Sequence, residues 1–103
     1  MEITSLENFN TITNESGELP VLIDVYAPWC GPCKVLAKTL ASFEVDNKDK
    51  VSIYKLNIDD LPDLADQLTI QSVPTLMVYK NGQQVGRQSG NMSKDQLTKF
   101  VGL

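Results

Sequence analysis

Cys30 and Cys33 stand three residues apart in the run Trp29-Cys30-Gly31-Pro32-Cys33. At the start of a helix that spacing puts both thiols on one face, where they can close a small disulfide if their Cβ vectors converge. Pro32 suits a first helical turn, because its missing N–H would have had no partner there. Cys30 then falls beside the unpaired N–H groups and the positive end of the helix dipole, which favour thiolate over thiol. The chemistry to expect is thiol-disulfide exchange. Cys30 attacks a disulfide in a partner, and Cys33 attacks Cys30 to release the reduced partner and leave the chain oxidised.

Cys33 sits deeper in the helix, and an apolar setting opposes loss of its proton, so the second step calls for a base. Asp24 is the candidate. It lies six residues before Cys30, inside the otherwise apolar run Val21-Leu22-Ile23-Asp24-Val25-Tyr26. A carboxyl buried there is pushed upward and can exchange a proton near neutrality, unless it merely hydrogen-bonds at a strand end. Lys55, on the expected neighbouring strand, could pair with it; the plainer reading is a lysine whose ammonium reaches solvent.

Composition narrows the alternatives. The chain has 103 residues, two Cys, no His and a formal net charge of −4. Four thiolate or imidazole ligands for a structural zinc cannot come from one copy, although a metal or cluster shared between two copies stays open. No metal site is expected. A bridge over so short a loop removes little chain entropy, which weighs against a purely structural disulfide. The negative charge argues against nucleic acid or an acidic membrane surface as partner. There is no apolar run long enough to span a bilayer and no secretory pattern at the start, so the cytoplasm is the expected compartment.

The elements read as one continuous domain over residues 1–103. Ser5 caps a short helix that ends at Asn14-Glu15-Ser16-Gly17. Val21–Tyr26, apolar on both faces, is expected to be a central strand. A helix from Pro32 to about Val45 follows, with Val35, Leu36, Thr39, Leu40 and Phe43 as its sheet-facing stripe. Val51, Ile53, Leu56 and Ile58 mark a second central strand, parallel to the first through a right-handed crossover. Leu61–Leu68 is a short helix with proline in its first turn. Thr75–Tyr79 and Gln83–Ser89 flank Lys80-Asn81-Gly82 as an antiparallel hairpin. Ser93-Lys94-Asp95-Gln96 matches a capping box, and Leu97, Phe100 and Val101 form the apolar face of the last helix. The expected class is α/β, a central mixed β-sheet flanked by helices on both faces.

The order of elements, Trp29–Cys33, Asp24, the run Lys55–Asp59, Ser72-Val73-Pro74-Thr75, Lys80-Asn81-Gly82 and Gly90 together resemble the thioredoxin family over nearly the whole chain. The resemblance implies a thioredoxin fold and a protein-disulfide reductase. It assigns Asp24 its proton-transfer role and gives Pro74 a cis peptide bond facing the cysteines, which leaves the Val73 backbone free to pair with an extended substrate. Gly31, Pro32, Val73, Pro74 and Gly90 would surround Cys30 with a small, flat, mostly apolar surface without a cavity, and Trp29 would stand partly exposed beside it. Such a surface suits disulfide-containing protein substrates. The implied electron source is NADPH acting through a thioredoxin reductase, with a ferredoxin-linked donor left open; no cofactor is bound, and the chain is expected to be a monomer. The absence of a histidine between the cysteines points to a reductant, against an exported oxidant or isomerase. A thioredoxin-like scaffold subunit is the competing reading, separable by activity. Lys38, Tyr26, Thr69, Ser89 and Asn91 depart from the usual family residues and bear on which proteins dock.

Overall fold

The computed structural model describes residues 1–103. Helix α1 (Leu6–Asn14) opens on Ser5, whose hydroxyl accepts from the Asn8 N–H at 2.9 Å. Strand β1 (Val21–Tyr26), helix α2 (Gly31–Asp46), strand β2 (Ser52–Asn57) and helix α3 (Pro62–Gln67) follow. The hairpin β3 (Thr75–Lys80) and β4 (Gln83–Ser89) and helix α4 (Lys94–Phe100) complete the chain. The sheet order is β2-β1-β3-β4, with β1 parallel to β2 and antiparallel to β3. It is the mixed sheet that the alternation of elements implies.

Side-chain alternation along β1 splits the core into two layers. Leu22 faces Leu36, Leu40 and Phe43 of α2 together with Leu97 and Val101. Ile23 and Val25 face Phe9 of α1 and Leu64 of α3. Helices therefore cover both faces of the sheet. The turn between β3 and β4 uses Asn81 at φ 53° and Gly82 at φ 79°. Two successive positive φ values are what a tight hairpin needs to match strand twist, and Asn-Gly supplies them at low cost. Helix α4 carries the expected capping box, Ser93 and Gln96 bonding reciprocally.

Two expectations need correction. The strand read as a second central one, β2, lies at the sheet edge, bordered only by the isolated bridge of Glu2 to Lys55. Only Ile53 and Leu56 are buried, one in each core layer, while Ser52, Tyr54, Lys55 and Asn57 are half-buried, and a count of its apolar residues obscures this looser cover of an edge strand. Val35, placed on the sheet-facing stripe of α2, is 60% exposed. Leu36, Leu40 and Phe43 already fill that stripe, and a neighbour one residue away points about 100° round the helix.

Candidate active site: the Cys30–Cys33 pair

Cys30 ends the loop after β1 and is the N-cap of α2, with φ −87° and ψ 114° in the extended region. Its Sγ accepts from the Cys33 N–H at 3.2 Å, so one of the unpaired donors of the first helical turn is aimed at the sulfur. Pro32 occupies that same turn without disturbing it. The two cysteines are joined as a disulfide with Cα atoms 5.3 Å apart, within the usual range for a bridged pair.

The pair packs with Ala27 as a small apolar cluster, against which Tyr26, Ile58 and Val73 lean. An expected difference in exposure is not found: Cys30 is 6% exposed and Cys33 3%. What separates the two sulfurs is position on the helix, since only Cys30 sits at the cap. Trp29 is 67% exposed beside them, and its indole N–H points to the Asp59 carboxylate at 3.5 Å. Gly31 and Pro32 are also exposed.

The far side of the site comes from the loop before β3. The Val73 carbonyl oxygen lies 3.8 Å from Cys30 Sγ, although the two residues are 43 apart in sequence. The Val73–Pro74 bond is cis. The Pro74 carbonyl accepts from the Gly90 N–H at 2.9 Å, which ties the end of β4 to this loop. Gly90 has φ +95°, a conformation side chains rarely adopt, while nothing lies within 4 Å of where a Cβ would be. Backbone conformation, and not space, is the reason for a glycine there. None of the five principal cavities is lined by Cys30, Trp29, Val73 or Pro74.

Asp24 is fully buried, and neither carboxylate oxygen has a hydrogen-bond partner. Burial pushes it from 3.8 up to about 6, against the lowering pull of Lys55 and with a small upward push from Glu2. Lys55 is its register partner on β2 but forms no ion pair with it. Its ammonium instead lies 4.6 Å from the centroid of the Tyr26 ring. The expected direct pairing is thus replaced by a cation–π contact. Sequence reasoning gave no role to Asp59 or Glu2. The signal for Asp59 was its place just past the end of β2, where its N–H donates to the Asn57 side chain at 2.9 Å; Glu2 offered none.

No group of His, Cys, Asp or Glu side chains is arranged to hold a metal ion, and no helix is long and apolar enough to cross a membrane.

A sequence model of the thioredoxin family matches residues 1–102. The thioredoxin of Haemophilus influenzae is 42% identical over 86 residues, covering 84% of this chain and 80% of its own. That of Chlamydia caviae is 42% identical over 101 residues, covering 98% of this chain and 95% of its own. Among solved structures, the oxidised form of mitochondrial thioredoxin 3 from Saccharomyces cerevisiae superposes with a TM-score of 0.87 at 28% identity, over 99% of this chain and 92% of that one. A likeness of this extent in both sequence and fold means that the chain belongs to the thioredoxin family, whose protein-disulfide reductase activity it shares through the redox-active Cys30–Cys33 pair.

Proposed function

We propose that Cys30 is the attacking thiolate and Cys33 the resolving thiol of this reductase, with Asp24 as the base for Cys33. The observation that carries the assignment is the Cys33 N–H aimed at Cys30 Sγ at 3.2 Å, at the N-cap of α2. In the reduced chain that donor and the helix dipole stabilise a thiolate on Cys30 more than on Cys33. The thiolate attacks one sulfur of a substrate disulfide, the S–S bond breaks, and the other substrate sulfur leaves as a thiolate. Asp24 takes the proton of Cys33, whose sulfur then attacks Cys30 Sγ and expels the second substrate thiolate. Two electrons pass to the substrate, and the Cys30–Cys33 disulfide forms. Lys55 acts on this step from a distance, by its charge on Asp24.

Substrates of this reading are proteins that offer an extended disulfide segment. Trp29, Gly31, Pro32, Val73 and Gly90 form the docking surface over the buried Pro74, with the Val73 backbone beside the attacking sulfur. Electrons come from NADPH through a thioredoxin reductase, and the chain works as a monomer without a bound cofactor. The cytoplasm suits a pair that must be returned to the dithiol after every turnover.

Reduction of insulin disulfides tests the roles. Cys30→Ser abolishes it, while Cys33→Ser accumulates a mixed disulfide to insulin through Cys30 that dithiothreitol releases. Turnover by Cys30→Ser, or a mixed disulfide formed through Cys33 in that variant, would overturn the assignment.

A further inference from the structure

Glu2, Lys55 and Asp24 stand in one row across the sheet face that α2 covers. Glu2 bridges Lys55 in parallel register, and Lys55 is the partner of Asp24 on β1. Backbone bonds fasten the N-terminal segment there: the Lys55 N–H donates to the Met1 carbonyl at 2.9 Å, and the Ile3 N–H to the Lys55 carbonyl at 2.8 Å. Lys55 therefore stands in the register between a residue with an exposed carboxylate and one with a buried carboxylate. It forms a salt bridge with neither. Tyr26 links two of the three, because its ring carries the Lys55 ammonium at 4.6 Å and its hydroxyl donates to the Glu2 carboxylate, 2.9 Å from each oxygen. Burial and the adjacent Glu2 push that hydroxyl up to about 12, so it remains a donor at any working pH.

We propose that Glu2 is a positioning residue for the dithiol reaction: held by Tyr26, its carboxylate draws the Lys55 ammonium away from Asp24 and leaves that buried carboxyl unpaired, free to exchange a proton with Cys33. The role rests on Asp24 being the base for Cys33. Two effects of Glu2 act in the same direction. Its charge disfavours a second negative charge on the same row, and it competes for the only ammonium within reach. Leu76, the partner of Asp24 on β3, brings no charge, and the α2 and α4 residues packed on this sheet face around Leu22, namely Leu36, Leu40, Leu97 and Val101, are apolar. Both acidic oxygens of Asp24 lack a hydrogen bond, so burial and nearby charges, Lys55 and Glu2 among them, set its proton affinity.

The test compares Glu2→Gln, Glu2→Asp and Asp24→Asn with the unaltered chain. Glu2→Gln keeps an oxygen for the Tyr26 hydroxyl and removes only the charge, at an exposed position where folding is not at risk. The Asp24 carboxyl is titrated by carbon-13 NMR in the reduced protein, and single-turnover reduction of insulin is followed across pH. Sheet spacing puts the two carboxylates about 10 Å apart, and a charge at that range, screened by solvent on one side, moves a titration by about half a unit. The expected result is a midpoint lower by about that amount in Glu2→Gln, an acid limb of the rate profile that moves with it, and behaviour close to the unaltered chain in Glu2→Asp. An unmoved midpoint and rate profile in Glu2→Gln, with Asp24→Asn slowed, would overturn the role of Glu2 alone. Asp24→Asn turning over at the unaltered rate would overturn the Asp24 reading beneath it.

Discussion

Asp24 and Lys55 are register partners on β1 and β2, yet the Asp24 carboxyl is left without any hydrogen bond and Lys55 turns to the Tyr26 ring. A buried carboxyl without a partner is a cost to the fold, and its pH dependence has a definite sign. Burial raises Asp24 from 3.8 to about 6, so the folded state binds more protons than the unfolded state between those values. Stability is greatest below the lower value and falls as pH rises through the upper one. The loss above pH 6 is on the order of 3 kcal/mol. Asp24→Asn therefore melts higher than the unaltered chain in denaturant at pH 8, loses most of that advantage at pH 4, and reduces protein disulfides more slowly. A mutant less stable at pH 8 would show that the carboxylate is a structural partner and not a buried base.

Cys30 and Cys33 differ little in exposure in the disulfide form, at 6% and 3%, so any difference in their reactivity must come from the helix cap. In the reduced chain Cys30 is expected to be alkylated by iodoacetamide at least about tenfold faster than Cys33 at pH 7, since thiolate fraction sets the rate. Brief labelling followed by peptide mass spectrometry measures it. Faster labelling of Cys33 would exchange the two roles.

Gly90 combines φ +95° with open space around the missing Cβ and a hydrogen bond to the Pro74 carbonyl. Gly90→Ala meets no clash but forces an L side chain into a backbone conformation it avoids, at a cost of about 1 to 3 kcal/mol. The mutant is expected to melt lower and to lose efficiency with protein disulfides more than with a small disulfide, because only the former uses this rim. Equal losses for both would place the effect in the fold and remove Gly90 from the docking surface.

What the sequence determined by itself was local. Cys30 as a cap with Pro32 behind it, Asn81-Gly82 as a hairpin turn and Ser93 with Gln96 as a capping box each depend on hydrogen bonds and dihedrals within a few residues. The two-sided apolar run of β1 likewise announced a central strand, and one carboxylate within it announced a group with a purpose. Tertiary structure decided everything that needs distant segments to meet. It placed the Val73 carbonyl beside Cys30 from 43 residues away, moved β2 to the sheet edge, turned Val35 to solvent and buried both cysteines. It also decided that Lys55 would lie over Tyr26, with Glu2 fastened to the same ring, and would not pair with Asp24. Periodicity and capping signals are short-range. The choice among partners for one ammonium depends on which charges and rings the sheet register brings within a few ångströms, and no local pattern encodes that outcome.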